Sequence, residues 1–134
     1  MVGMRVSSLI VLSILALAGC STTHPASEST AGSETVLVTY RVKAGKEAQF
    51  QSVLARAWEV YQSEHMVYPK PHVITRATES GGTSRYVEIF TWRRSPDHAP
   101  DSVKKVWDQE QSLCEARGGH RGIDGGEVEL LTAK

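Results

Sequence analysis

Only two of the 134 residues are cysteine, neither sign of charge is in excess, and no apolar run is long enough to cross a bilayer. Each shortage excludes something. The 15 lysines and arginines are interleaved with 15 aspartates and glutamates, so no basic stripe forms and nucleic acid is excluded as a partner. The sparse cysteines and scattered histidines carry no zinc signature. No nucleophile triad and no pair of carboxylates at a fixed catalytic spacing is present. What remains fits one small globular domain behind a targeting segment.

That segment comes first. Arg5 precedes an apolar run from Val6 to Leu17, broken only by serines, and Ala18, Gly19 and Cys20 follow. A spanning helix needs about 20 apolar residues, whereas a positive start, a shorter core and small residues at the end make an export signal. The ending Leu17, Ala18, Gly19, Cys20 resembles the lipobox of bacterial lipoproteins. The resemblance implies that residues 1–19 are removed and that Cys20 is lipidated, which anchors the chain to a membrane. Ser21 follows the cysteine where retention in the inner membrane would favour aspartate, so the expected location is the outer membrane, facing the periplasm. Residues 20–34 are almost devoid of apolar side chains and are expected to be a flexible tether with a reach of about 20 Å. Cys114 is then the one remaining thiol, expected to be buried as a small hydrophobe.

The folded domain is expected over residues 35–134. Residues 36–42 are β-branched and aromatic, at strand length. Phe50, Val53, Leu54, Ala57, Trp58 and Tyr61 then recur at helical spacing, predicting a helix over about 46–65 that Pro69 and Pro71 forbid from continuing. Residues 72–78 and 85–92 are strand-like and joined by a turn-forming stretch, a hairpin pattern. A second helix is expected to start at Pro100 and Asp101, bury Val103, Val106, Trp107, Leu113 and Cys114, and stop at Gly118 and Gly119. Residues 127–131 alternate as a last strand.

The order β-α-β-β-α-β predicts an α+β, ferredoxin-like domain: an antiparallel four-stranded sheet with two helices on one face. Such a sheet has one face that its own helices leave bare. In the third strand, Val87, Ile89 and Thr91 point one way and Tyr86, Glu88, Phe90 and Trp92 the other, and neither side resembles a solvated surface. A second copy packed against the aromatic side, or a ligand filling it, is the expectation.

The block from Tyr86 to Trp92, then Asp97, His98, Ala99 and Pro100, then Val106, Trp107, Cys114, Glu115, Ala116 and Arg117, with Glu127, Val128 and Glu129 at the end, resembles the dimeric α/β barrel superfamily. Within it the likeness is to the antibiotic biosynthesis monooxygenase-like group. The resemblance implies a homodimer of ferredoxin-like protomers, each with a cleft between sheet and helices for a small aromatic or hydrophobic molecule. Some members oxidise polyketide-like aromatics with no metal or flavin, so no cofactor is implied. The haem-degrading branch uses a helix histidine, an asparagine and a tryptophan. This chain has no asparagine, and its second helix has no histidine.

Glu88, among aromatic neighbours, is a candidate proton acceptor for a phenol or enol. The alternative is a structural ion pair with an inward Arg41 or Arg76. Trp58, Tyr61, Trp92 and Trp107 can line a cleft, and the same spacing suits a core, to which Trp58 and Trp107 are assigned. Tyr61, Tyr86, Phe90, Trp92, Arg41 and Arg76 therefore make up the expected ligand pocket. His98, before the second helix, is kept as a possible acid or base, while His65, His72 and His120 look like ordinary loop or element-end histidines. Two functions follow: a lipid-anchored domain that binds a small hydrophobic or aromatic molecule or serves as an interaction module, and a cofactor-independent monooxygenase acting on an aromatic or quinol. Mass spectrometry of a membrane fraction should find an acylated N-terminal fragment beginning at Cys20, and an unmodified thiol there would refute the anchor.

Overall fold

The computed structural model describes residues 33–133, so the export signal, Cys20 and all but the end of the tether lie outside the described residues. The elements run β1 (Glu34–Val42), α1 (Glu47–Ser63), β2 (Val67–Thr78), β3 (Ser84–Trp92), α2 (Asp101–Leu113) and β4 (Ile123–Glu127), with a short 3-10 turn at Pro96–His98. The strands form one antiparallel sheet in the order β2-β3-β1-β4. This is the expected ferredoxin-like arrangement.

Period-two alternation decides which side chains meet the helices. On β3, Ser84, Tyr86, Glu88, Phe90 and Trp92 are buried, while Val87, Ile89 and Thr91 are half-buried on the other face. Val36, Tyr40 and Val42 of β1 point the same way as the β3 aromatics. Two apolar clusters result. One joins Phe90, Trp92 and Val36 to Ala57, Tyr61, Val103 and Val106, and the other joins Tyr40, Val42 and Tyr86 to Phe50, Val53, Leu54 and Leu113. Tyr86, Phe90 and Trp92 therefore lie beneath the chain's own helices, and no second copy is needed to cover them. The sequence could not decide this, because both sides of β3 carry apolar residues.

The opposite face is not hydrophilic. Leu37, Ile89 and Val73 stand in one row across β1, β3 and β2, flanked by the row Thr39, Val87 and Thr75. Val73 is 47% exposed, so this row is the apolar surface that the helices leave open.

The structure corrects several boundaries. β2 begins at Val67, five residues earlier than expected, because an edge strand tolerates prolines whose missing N–H faces away from the ladder. The register steps from Val67 opposite Trp92 to His72 opposite Phe90, so residues 68–71 bulge past Thr91. α2 ends at Leu113, not at the glycines. Cys114 bridges to Val42, and Gly118 and Gly119 instead sit in a turn closed by Arg117 and His120. Arg117 pins this segment by donating to the carbonyls of Val42 and Ser84 and to Glu79. β4 is the stretch 123–127, not 127–131: it pairs with β1 directly after Gly122, where a Cβ would lie 2.9 Å from the Glu115 nitrogen. Glycine is required there by close approach, a signal that composition hides inside a glycine-rich run. The tether also ends sooner than expected, since Glu34 already pairs with Trp92.

Candidate functional site

The site grows from Glu88. A carboxylate placed among aromatic rings needs hydrogen-bond partners or must give up its charge. Glu88 is 1% exposed, and its partners come from the flanking strands. Tyr40 opposes Tyr86 and His72 opposes Phe90, which makes both of them diagonal neighbours of Glu88 on the helix side. The Tyr40 hydroxyl donates to Glu88 Oε2 at 2.8 Å, and His72 Nε2 lies 2.8 Å from Glu88 Oε1. Trp58 of α1 stacks on the His72 ring, with centroids 3.5 Å apart and planes 11° from parallel.

Between this group and α2 lies a cavity of about 240 Å³. Val38, Tyr40, Phe90 and Trp92 line it from the sheet, Tyr61 from α1, Trp107, Glu110 and Gln111 from α2, and Ile123 from β4. The next helix-facing position of β4 is Gly125, so no side chain fills the space beside Val38. The volume suits one small, flat molecule held between aromatic faces.

Glu110 is a buried polar group in this wall with an unpartnered oxygen. It is 2% exposed, and its Oε1 accepts no hydrogen bond. Burial, reinforced by the charge of Glu88, pushes its carboxyl up to about 8. At neutral pH it is mostly protonated and can donate; when ionised it is a strong acceptor facing an apolar space. Two phenols have their hydrogen-bonding sense fixed nearby. Tyr40 spends its hydrogen on Glu88, which leaves its oxygen free to accept. Tyr61 accepts from Trp107 Nε1–H at 2.8 Å, which leaves its own hydrogen free to donate. Burial, then the charges of Glu110 and Glu88, hold both phenols well above their ordinary value, so they act as neutral hydrogen-bonding groups. Among the described residues, no cluster of three His, Cys, Asp or Glu side chains could hold a metal ion.

Of the residues expected from sequence, Tyr61, Phe90 and Trp92 line the cavity and Glu88 stands behind Tyr40. The others do not meet there. Arg41 is on the opposite sheet face, donating to Asp124 at 2.6 Å and to the Arg121 carbonyl. Arg76 donates to Ser84 and covers the Tyr86 ring, so neither arginine pairs with Glu88. Tyr86 sits in the neighbouring cluster and accepts from Gln51. His98 is exposed in the 3-10 turn. Trp107, assigned to the core, lines the cavity, and Trp58 orients a histidine. Cys114 is buried as expected, and burial pushes its thiol up to about 12. Sequence reasoning missed Tyr40, His72 and Glu110. For Glu110 a signal existed: 103, 106, 107, 110, 113 and 114 form one helical stripe, and Glu110 is the only charged member.

No protein-family model and no curated protein matches the chain. Among solved structures it is similar to SnoaB, a cofactor-independent oxygenase from Streptomyces nogalater, with 18% identity and a TM-score of 0.50 over 76% of this chain and 96% of that one. A Caulobacter crescentus protein provisionally assigned as an antibiotic biosynthesis monooxygenase gives 17% identity and a TM-score of 0.49, over 74% of this chain and 92% of its own. A Bordetella bronchiseptica protein of the same provisional assignment gives 18% and 0.46, over 74% and 99%. At this identity the likeness to SnoaB is one of fold.

Glu110 makes stability depend on pH. Because the folded state binds its proton more tightly, its contribution is fully present below the unfolded value of 4.5 and is lost as pH rises through about 8. Urea midpoints of the wild type should fall across that window, and Glu110→Gln should flatten the fall. Equal slopes in the two proteins would show that Glu110 titrates as an ordinary surface carboxyl.

Proposed function

We propose that the domain binds a small hydroxyarene or quinol in the cavity beside Glu110 and oxidises it with dioxygen, as a cofactor-independent monooxygenase. One observation carries this reading: a buried carboxyl without a hydrogen-bond partner at Oε1, facing an apolar cavity walled by Trp92, Trp107, Tyr61 and Phe90. The fold shared with a cofactor-independent oxygenase supports it. The aromatic walls hold the ring of the substrate, and Tyr61 donates to an oxygen on it. Ionised Glu110 takes the phenolic proton, and the resulting electron-rich anion reduces dioxygen directly. The reaction balances without a further reductant: a hydroxyarene plus dioxygen gives a quinone plus water, with all electrons drawn from the ring. On the strength of the lipobox-like ending, this reading puts the domain at the cell envelope, tethered through Cys20 and facing the periplasm.

Protein lacking residues 1–20 should consume oxygen with members of a hydroxyarene and quinol panel and place one atom of labelled dioxygen in the product. Glu110→Gln should lower the rate by about 10²–10⁴, the usual range for loss of a general base. Val38→Phe should raise KM by narrowing the cavity. Unchanged turnover in Glu110→Gln would sink the assignment, and tight binding without turnover would leave a ligand-binding module.

The open face is the natural meeting surface of two copies. Its row of Leu37, Ile89 and Val73 is apolar and flanked by β-branched residues, as a sheet-on-sheet contact requires. Light scattering of the soluble protein should return twice the chain mass, and Ile89→Lys should return one chain mass with the cavity intact. A monomeric wild type at micromolar concentration would rule the homodimer out.

A further inference from the structure

Three bonded side chains lead out of the cavity along the sheet. Tyr40 lines the cavity and donates to Glu88 at 2.8 Å, and the other oxygen of Glu88 meets His72 Nε2 at 2.8 Å. Tyr40 is 2% exposed and Glu88 1%, while the His72 side chain reaches 19%. The chain thus begins inside and ends at water.

Its outer end is built with some care for position. His72 follows the bulge of the edge strand, where residues 68–71 arch past Thr91. Trp58 then holds the ring flat against its own. Arginine would neutralise Glu88 equally well, and Arg41 and Arg76 occupy neighbouring strands, yet both are committed elsewhere. A guanidinium cannot release a proton; phenol, carboxyl and imidazole can each take one and pass one on. Glu88 and the two groups that meet it, Tyr40 and His72, are of this second kind.

We propose that Tyr40, Glu88 and His72 form a proton relay between the cavity and solvent, with His72 as its outer terminal. The inference rests on the reading of Glu110 as the group that accepts the substrate's proton. Glu110 is only 2% exposed, so its own surface offers little direct contact with bulk water. A water, which needs about 30 Å³, bridges Glu110 to Tyr40 inside the cavity. Tyr40 passes its phenolic proton to Glu88 Oε2 as it takes one from that bridge. The proton already held between Glu88 Oε1 and His72 Nε2 settles on the nitrogen as Oε2 is protonated, and the imidazolium releases its Nδ1 proton to water. One proton leaves the cavity, each oxygen and nitrogen keeps its valence, and no electron moves. His72, Glu88 and Tyr40 are positioning residues in this scheme, since none takes the substrate's proton itself.

The test needs no substrate. In the purified full chain, a stopped-flow pH drop is followed by the infrared band of the Glu110 carboxylic acid, assigned by its loss in Glu110→Gln. The wild type should protonate quickly. His72→Gln, which keeps a donor for Glu88, and His72→Ala should both slow the process about tenfold or more, on the scale of losing a proton-transfer group. Added imidazole should restore the rate in His72→Ala but not in His72→Gln, and a merely structural histidine would give neither effect. Tyr40→Phe cuts the chain at its inner link and should be equally slow, which covers the case in which the histidine variants fail to fold. A folded variant that equilibrates as fast as the wild type overturns the relay, and so does a Glu110 band that never appears. If the relay kinetics hold while no panel compound is oxidised, the oxygenase reading falls alone; if oxidation proceeds and the variants protonate at the wild-type rate, the relay falls alone.

Discussion

A charged carboxylate cannot sit unpaired beneath two helices, and the centre of this molecule is arranged around that constraint at Glu88. Strand alternation sends Glu88 inward with Tyr86, Phe90 and Trp92, where it is sealed from water. Its neighbours therefore supply what solvent would have. Tyr40 and His72 do so from diagonal positions on the flanking strands, and Trp58 closes over the histidine. The apolar core divides into two clusters on either side of this polar group, with Val38 touching both. The cavity opens at that seam, beside a strand position occupied by glycine.

The same constraint sets Glu110 apart. With Glu88 satisfied by two partners and its charge nearby, a second buried carboxyl can ionise only with difficulty, and burial adds to the effect. Two acidic residues in one small core thus take opposite roles. One is bonded on both oxygens and conducts; the other has a bare oxygen and waits for a ligand. Divergent environments for paired carboxyls are the usual physical basis for separating acid from base roles within a site.

The sequence carried the element order, the sheet topology implied by it and the apolar stripe of α1, because these rest on period and turn chemistry that local residues express directly. It also carried Tyr61, Phe90, Trp92 and Glu88 as members of one neighbourhood. It failed where long-range register decides. Nothing local tells that His72 rather than Arg41 or Arg76 meets Glu88, since a bulge at residues 68–71 sets the phase of β2. Arg41 pairs with Asp124 only because β4 begins right after Gly122, and a glycine-rich stretch gives no periodic sign of being a strand. Glu110 is different: its helical stripe is plain in the sequence, and it is the one member of that stripe that bears charge.

The orientation of the β3 aromatics changes what a paired form of this domain would mean. Had Tyr86, Phe90 and Trp92 met a second copy, cavity and assembly would have been one feature, lost together. Instead the sheet residues that line the cavity stand on its helix side, away from the open face. The open side presents Leu37, Ile89 and Val73 beside the row Thr39, Val87 and Thr75, which Asp124 of β4 ends. A four-stranded sheet is thin enough that burial of one face steadies the backbone carrying the other. A paired form through the open face would therefore tune the stability of the site from the far side of the same strands.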